Sequence, residues 1–364
     1  MRVLELFGGY GSQALALENL GIDFKSDLCE IDKYAIQAYN QLHGETYNYG
    51  DICKIDETKL PYYDLITYSS PCQDFSVAGK QAGGDKGSGT RSSLLWECER
   101  IIRAVKPQYL LMENVKNLVG ETHIHNFIAW LRVLEEIGYR SFWKVLNAKD
   151  YGVPQNRERV FVVSILDGGQ YQFPEPIKLT KRLKDVLEQN VDEKYYISSE
   201  KWLNRIPFQV EHGYSTLDAD VIGTQTARQY ASINGAFVST PLNTDTDGCS
   251  PTLNTCQGGG HEPKIVDDIY HNREPREYSE KSPTLRASHA SDLKVNNGYR
   301  IRKLTPRECW RLMGVRDEQF DKLHDISNSQ LYKMAGKSIV VDVLMGIFRN
   351  LFIDKDQKGQ LQLL

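Results

Sequence analysis

A cysteine in a Pro-Cys-Gln turn is the residue of this chain best suited to nucleophilic chemistry. Cys72 follows residues 63–68, an apolar stretch that predicts a buried strand. The polar residues Gln73, Asp74 and Ser76 come next, and they are not typical of a core. Strands of open α/β sheets deliver the residues after them to the carboxyl edge, where such proteins bind ligands. The pattern therefore predicts a thiol nucleophile, although a lone cysteine is more often a small buried hydrophobe.

Two other residues with suitable chemistry stand next to apolar runs. Glu113 follows residues 109–112, and Arg159 precedes residues 160–163. A carboxylic acid at a strand end can donate a proton when its pKa is raised toward the working pH, and an arginine can hold a carbonyl oxygen. For Arg159 alone, a strand-end salt bridge with Glu158 or another acid is the alternative.

The start of the chain predicts the element that would hold a nucleotide or nucleoside. Residues 2–7 read as a strand, residues 8–12 as a glycine turn and residues 13–20 as a helix. Glycines allow the turn to approach a ligand, and the free amides at the helix start favour its polar groups. The turn lacks the third glycine of the dinucleotide fingerprint, so this signal is weak by itself.

Carboxylates follow the next two predicted strand ends. Glu30 comes after residues 24–29, and Asp51 lies in a third predicted strand end, residues 49–52. Glu30 is placed to accept hydrogen bonds from ribose hydroxyls, and Asp51 to meet an adenine amine. A solvated strand end is the alternative for Glu30.

Taken together, these segments resemble the cytosine-5 DNA methyltransferases, the S-adenosylmethionine-dependent enzymes of bacterial and phage restriction-modification systems. The resemblance covers nearly the whole chain except roughly residues 180–300. Its segments, in order, are residues 7–11, Glu30, Asp51, residues 71–73, 91–97, 112–115, 155–159, 302–308 and 336–340.

The resemblance implies a covalent mechanism. Carbon 5 of cytosine is a poor nucleophile toward a methyl donor, so a Cys72 thiolate would first add to carbon 6. Glu113 would donate to ring nitrogen 3, and Arg159 would hold the carbonyl oxygen and orient Glu113. Asn114 would hold the loop and sheet edge rather than react. The implied catalytic residues are Cys72, Gln73, Glu113, Asn114, Arg157 and Arg159.

The resemblance also implies the cofactor, S-adenosylmethionine, and its site. The implied cofactor-binding residues are Phe7, Gly9, Gly11, Glu30, Ile31, Asp51, Ile52, Pro71, Ser338 and Val340. One position departs from the family pattern, which has Asn after the glycine at 336. This chain has Lys337, which is long enough to reach the methionine carboxylate of the cofactor and large enough to crowd the pocket. Because Ser338 is retained, cofactor binding is expected to survive.

Such chemistry requires double-stranded DNA with the target cytosine flipped out of the helix. The glycine-rich residues 76–90 are expected to close over the DNA, a surface insertion being the alternative. Residues 180–300 are rich in Gly, Ser, Thr, Asn and Pro and match the target-recognition region of the family. The candidate DNA-binding residues are Gln81, Ser88, Arg91, Thr252, Thr284 and Arg286.

The predicted fold class is α/β. A Rossmann-like S-adenosylmethionine-dependent methyltransferase large domain comprises residues 1–179 and 325–364, to which a C-terminal helix at 339–352 returns. Residues 180–324 are predicted to form a smaller, mostly β target-recognition domain with a hinge. At 364 residues and 40% hydrophobic content, the chain is long enough for two such lobes.

Charge and composition limit the partners. The net charge is −4, which is unusual for a DNA-binding protein, but residues 271–311 contain ten basic and five acidic residues. Seven cysteines without a C-x-x-C pair indicate neither a disulfide framework nor a zinc site. Without an apolar span or a signal peptide, a cytoplasmic monomer is expected, and any cognate restriction endonuclease would act separately.

Three alternatives remain. A transfer-RNA-directed relative would share the catalytic residues but would ordinarily have a smaller recognition region. An inactive DNA-binding homologue is a different class, although Cys72, Glu113 and Arg159 are all present. A nicotinamide-dependent oxidoreductase explains the glycine turn and Glu30, but not the Pro-Cys-Gln turn.

Overall fold

The computed structural model describes residues 1–69, 94–197, 203–225, 235–241, 264–267, 276–278, 293–296 and 299–354. Several predicted site residues lie outside these ranges. They are Pro71, Cys72, Gln73, Gln81, Ser88, Arg91, Thr252, Thr284 and Arg286.

Six strands form the main sheet. They are β1 (Arg2–Leu6), β2 (Lys25–Cys29), β3 (Leu65–Tyr68), β4 (Tyr109–Val115), β5 (Tyr139–Asn147) and β6 (Glu158–Leu166). Their order across the sheet is β2-β1-β3-β4-β6-β5. Strands β1 to β4 pair in parallel, whereas β6 is antiparallel to both β4 and β5. This mixed α/β sheet confirms the predicted fold class.

Helices connect the strands and follow them. The α-helices are α1 (Ser12–Asn19), α2 (Lys33–His43), α3 (Leu95–Val105), α4 (Ile124–Ile137), α5 (Ile206–Glu211), α6 (Pro306–Arg311), α7 (Asp317–Phe320), α8 (Asn328–Lys337) and α9 (Val341–Phe348). Short 3₁₀ turns lie at Ile52–Lys54, Glu57–Lys59, Lys116–Val119, Ala148–Tyr151, Leu183–Val186, Glu193–Tyr195 and Asp321–Leu323. Within these ranges, no helix is both long and apolar enough to span a membrane.

The two faces of the main sheet have different roles. Alternate strand residues point to opposite faces. One face packs in a large core with α3 and α4, to which β3 contributes Ile66 and Tyr68 and β4 contributes Leu110 and Met112. The intervening residues therefore point to the other face, and among these is Glu113.

The reversed direction of β6 determines which residues meet at the carboxyl edge. The parallel strands β1 to β4 all end at this edge, but β6 starts there because it is antiparallel to β4. Arg159, the second residue of β6, thereby lies near the end of β4, opposite Val115 and two positions from the partner of Glu113.

Contacts divide the chain into two compact units. The first comprises Met1–Gln189, Ala219–Gly235 and Thr305–Leu364, and the second Asn190–Asp218 and Ala236–Leu304. These units differ from the predicted domains because residues 180–189, 219–235 and 305–324 join the first one. The last of these segments contains the start of α6. There, Thr305 and Glu308 form a capping box at the start of α6, and the Glu188 amide donates to Glu308 Oε1 at 2.8 Å. The predicted boundaries at 179/180 and 324/325 stay a prediction.

The second unit contains short strands. They are β7 (Thr216–Leu217), β8 (Ala236–Pro241), β9 (Lys264–Asp267), β10 (Arg276–Tyr278), β11 (Leu293–Asn296) and β12 (Tyr299–Lys303). They pair in two small sheets, β10-β9-β11 and β12-β8-β7.

Two local predictions need correction. Residues 49–52 are not a strand end, because Asn48 makes only an isolated bridge with Leu28 before the 3₁₀ turn Ile52–Lys54. The helix expected at 339–352 begins only at Val341, and a π-helical turn replaces it from Arg349 to Ile353.

Candidate active site

Glu113 and Arg159 form a buried ion pair at the carboxyl edge. The Arg159 Nε atom lies 3.1 Å from Glu113 Oε1, and the Glu113 residue is 8% exposed. The alternative for Arg159 was a strand-end salt bridge with Glu158 or another acid. The Glu158 carboxylate pairs with Lys116 at 3.0 Å, so the acid that Arg159 contacts is Glu113. The ion pair is compatible with both interpretations, and the role of Arg159 toward a substrate stays a prediction.

The environment of Glu113 raises its pKa. Burial is the main cause, because it disfavours the charged carboxylate. The positive charges of Arg159 and Arg157 and the hydroxyl of Ser69 oppose this effect without cancelling it. A carboxyl in such surroundings can carry a proton closer to neutral pH, which is a requirement of a general acid.

The side chain of Asn114, next to Glu113, contacts the main chain. Its side chain is buried, and its Oδ1 accepts a hydrogen bond from the Val115 amide at 2.9 Å. This contact is compatible with the holding role that the resemblance implies.

Arg157 binds two distant segments of main chain. The residue is 3% exposed, and its guanidinium donates to the carbonyl oxygens of Gln225 (3.2 Å), Gly336 (3.3 Å) and Ser338 (2.6 Å). It still contributes positive charge at Glu113. Its predicted catalytic role stays a prediction, but these contacts are those of a residue that positions the turn before α9.

That turn also contacts the glycine turn. The Ser338 hydroxyl donates to the hydroxyl oxygen of Tyr10 at 2.6 Å, and the Tyr10 ring stacks on Trp310 with centroids 4.4 Å apart. Val340 is the N-cap residue of α9 and is buried, whereas Lys337 ends α8 and is exposed. Tyr10 was not singled out from the sequence, because an aromatic residue between glycines does not indicate a distant partner.

The glycine turn has an unusual backbone. Phe7, a bulky residue, has a φ of 56°, which L residues rarely adopt and which often marks a functional site. A Cβ at Gly11 would lie 2.5 Å from His43 Nε2, so only glycine fits there. A Cβ built at Gly9 would meet no atom of the described residues within 4 Å, so the backbone of Gly9 is accessible to a ligand.

Glu30 is held by main-chain amides at the end of β2. Its carboxylate accepts hydrogen bonds from Gly9 (3.1 Å), Ile31 (2.8 Å) and Asp32 (2.8 Å). It thus links the end of β2 to the glycine turn. Ile31 beside it is 74% exposed, an uncommon exposure for a large apolar side chain. A fixed carboxylate and an exposed apolar surface suit the ribose and the adenine of a nucleoside.

Asn48 links Glu30 to the main chain just before Asp51. Its side chain accepts from the amides of Glu30 (3.1 Å) and Gly50 (3.0 Å) and donates to the Glu30 carbonyl (3.0 Å). Asp51 caps the following 3₁₀ turn through the Cys53 amide, and Ile52 is buried. Asn48 was not predicted from the sequence, since no pattern around it indicated a cross-link.

Comparison with known proteins is consistent with this geometry. The family model described as C-5 cytosine-specific DNA methylase matches residues 1–352. The type II methyltransferase M2.ScrFI of Lactococcus lactis subsp. cremoris is 39% identical over 339 residues, 92% of this chain and 80% of that protein. The orphan methyltransferase M.SPBetaI of Bacillus phage SPbeta is 32% identical, over 98% of this chain and 99% of that protein. The structure of the Entamoeba histolytica methyltransferase EhMeth shares the fold, with a TM-score of 0.71, 18% identity and 98% coverage of both chains.

Proposed function

The chain belongs to the C-5 cytosine-specific DNA methylase family, and we propose that it transfers a methyl group from S-adenosylmethionine to carbon 5 of a flipped-out cytosine in duplex DNA. Membership confirms the resemblance drawn from the motifs and makes the chain a DNA (cytosine-5-)-methyltransferase. The proposal adds the methyl donor, base flipping and a covalent intermediate through Cys72.

The observation that carries the proposal is the buried Glu113–Arg159 pair. A carboxyl whose pKa is raised by burial can give a proton to ring nitrogen 3, while the guanidinium beside it holds the carbonyl oxygen of the base. Arg159 has only donors and cannot take the proton itself. The two residues therefore have complementary roles toward one edge of a cytosine.

The residues at the ends of β1 and β2 fit the cofactor. Glu30 would accept the ribose hydroxyls, Asp51 the adenine amine, and the exposed Ile31 would lie against the adenine ring. The open surface at Gly9 supports a close approach of the ligand to the main chain. When bound, S-adenosylmethionine supplies an electrophilic methyl group on its sulfonium.

In the proposed reaction, the Cys72 thiolate adds to carbon 6 while Glu113 donates its proton to nitrogen 3. Carbon 5 would become enamine-like and would take the methyl group as the carbon–sulfur bond of the sulfonium breaks, which leaves a neutral thioether. Loss of the proton from carbon 5 to a base and expulsion of the thiolate then restore the aromatic ring, and nitrogen 3 returns its proton to Glu113. Reaching both faces of the ring requires the cytosine to leave the duplex.

Residues 180–324 are proposed to read the DNA sequence, and residues 76–90 to close over the flipped base. Gln81, Ser88, Arg91, Thr252, Thr284 and Arg286 remain the candidate contacts. The relatives are named type II or orphan methyltransferases. We infer that the chain is either the modification enzyme of a restriction-modification system or a phage protective methylase.

Bisulfite sequencing of mixed-sequence DNA tests this function. The DNA is incubated with S-adenosylmethionine and either the native chain or Cys72→Ala. Protected cytosines at one recurring site, absent with Cys72→Ala, are expected. Protection that survives Cys72→Ala would contradict the covalent mechanism, and no protection by a native chain that still binds cofactor would favour an RNA substrate or an inactive homologue.

A further inference from the structure

The end of β3 brings another polar residue next to Glu113. Strands β3 and β4 are parallel, and their last paired residues are Tyr68 and Met112. The next residue of each segment is Ser69 and Glu113. Residues at partner positions of adjacent parallel strands point to the same face of a sheet, so Ser69 lies on the face that carries Glu113.

The Ser69 hydroxyl is enclosed by protein. Its Oγ atom is buried and makes no hydrogen bond of good geometry with the described residues. Ser69 follows the partner of Met112 and is therefore the neighbour of Glu113 in the sheet, and its hydroxyl lowers the pKa of the Glu113 carboxyl. A buried hydroxyl without a partner is costly, and the nearby carboxyl oxygen is a strong acceptor.

Ser69 and Arg159 approach Glu113 from opposite sides. In the sheet, β4 lies between β3 and β6. Arg159 reaches Glu113 from β6, and Arg157, just before β6, adds positive charge. These two arginines are the charged groups with the largest effect on the pKa of the carboxyl. Cys72 lies outside the described residues. The arginines only donate hydrogen bonds, whereas a serine hydroxyl can donate or accept.

We propose that Ser69 is a positioning residue for Glu113, whose hydroxyl holds the carboxyl from the side opposite Arg159 and fixes the oxygen that carries the proton. This inference rests on the proposed role of Glu113 as proton donor. A hydroxyl that donates to the carboxyl stabilises its charged form and lowers its pKa. Removing the hydroxyl therefore raises the pKa of Glu113, and the acid form persists to higher pH.

Ser69→Ala tests the inference, with two companion variants. Ser69→Thr keeps a hydroxyl at the position. Thr67→Val is the matched control, because Thr67 lies on the same face of β3, is buried and has a hydroxyl without a hydrogen-bond partner among the described residues, but is one strand repeat away from Glu113. The single-turnover rate of tritiated methyl transfer to a duplex with the recognised site is measured across the pH range in which the native chain stays folded and active.

For Ser69→Ala, the alkaline limb of the rate profile is expected to move to higher pH, and the plateau to fall about tenfold because the carboxyl is less well oriented. Ser69→Thr should restore the wild-type limb, and Thr67→Val should leave it in place. As a readout without cofactor or DNA, the carboxyl ¹³C signal of Glu113 in the free protein, assigned by its loss in Glu113→Gln, should titrate at higher pH in Ser69→Ala.

Two outcomes overturn the inference alone, provided that Glu113→Gln is inactive. In the first, the alkaline limb and the ¹³C titration are unchanged in Ser69→Ala. In the second, Thr67→Val shows the same shift as Ser69→Ala. Wild-type rates in Glu113→Gln would overturn the proposed role of Glu113 and this inference together. The two failures are therefore distinguishable.

Discussion

At the level of single residues, the Glu113 carboxyl is subject to opposing influences. Burial raises its pKa, and the positive charges of Arg159 and Arg157 lower it. A solvated glutamate would be ionised at neutral pH. A buried glutamate without an ion-pair partner would have no contact to fix the orientation of its carboxyl. The ion pair with Arg159 keeps the carboxyl oriented while burial keeps its proton available.

Replacing Arg159 tests this balance. Arg159→Ala removes a buried guanidinium that contacts the carboxyl, so we expect methyl transfer to fall about 10²-fold to 10³-fold. Its loss also removes a positive charge, so the pKa of Glu113 should rise. Radiometric single-turnover assays measure the effect.

The neighbouring Glu158→Gln is the matched control. Glu158 forms its ion pair with Lys116 at the surface, where such pairs contribute little. Its rate should stay within about twofold of the native rate. An equal loss of rate in Arg159→Ala and Glu158→Gln would indicate that the start of β6 tolerates no change and that Arg159 has no specific role.

At the level of elements, polar side chains connect the strands to the helices behind the glycine turn. Glu5 of β1 is fully buried, and the Tyr39 hydroxyl of α2 donates to its Oε1 at 2.6 Å. Tyr39 also lies 2.8 Å from Ser26 Oγ of β2. Burial raises the pKa of Glu5 to about 7, although the hydrogen bond from Tyr39 opposes this effect.

Glu5 should make stability depend on pH. In the folded chain its pKa is about 7, and its ordinary value is 4.5, so the folded state holds a proton that the unfolded state has lost. The stabilisation is fully present below pH 4.5 and is lost as the pH rises through 7, by about 3 kcal/mol. Thermal unfolding from pH 4.5 to pH 8 should therefore show a smaller decline for Glu5→Gln than for the native chain. Equal pH dependence of thermal stability in the native chain and in Glu5→Gln would contradict the raised pKa of Glu5.

Arg157 links β6 to the turn before α9. Its guanidinium donates to three carbonyl oxygens, among them those of Gly336 and Ser338, and Ser338 in turn contacts Tyr10 of the glycine turn. In Arg157→Lys the charge is kept, but a single ammonium cannot reproduce this planar geometry.

We expect the dissociation constant of S-adenosylmethionine to rise about tenfold in Arg157→Lys, because the turn that carries Ser338 loses its support. The turnover at saturating cofactor should change less. Isothermal titration calorimetry and steady-state kinetics measure the two effects. A loss confined to turnover would instead support the catalytic role predicted from the motif.

At the level of the whole molecule, charge is distributed unevenly. The net charge is −4, yet residues 271–311 carry an excess of five positive charges. Part of this excess is engaged within the protein. Arg300 pairs with Glu193, Arg311 pairs with Asp317, and Arg302 is only 2% exposed. Fewer basic residues are therefore available to phosphates than the sequence suggests.

Binding to duplex DNA should weaken steeply with salt, and the slope should identify the residues that contact phosphates. If Arg286 contacts a phosphate, Arg286→Ala should reduce the slope of log affinity against log salt by about 1. Arg300→Ala should leave the slope unchanged, because its charge is already paired with Glu193. Fluorescence anisotropy with a labelled duplex measures both slopes, and a reduced slope for Arg300→Ala would contradict this assignment.

Local patterns in the sequence were sufficient to predict the family, the fold class and a set of candidate site residues. Apolar runs followed by Glu30 and Glu113 are local patterns, and the main-sheet strands that they predicted are present. Motif order was sufficient for the family, since each motif is a short segment whose residue types are required together by one reaction.

Which of these residues meet, and which contacts hold them, depends on tertiary packing. Whether Arg159 pairs with Glu113 depends on the reversed direction of β6, and apolar periodicity does not encode strand direction. The contacts of Asn48, Tyr10 and Arg157 likewise join segments that are distant in sequence. Hydrogen bonds of this kind arise from packing, because a buried polar group must find its partner wherever the fold brings one within reach.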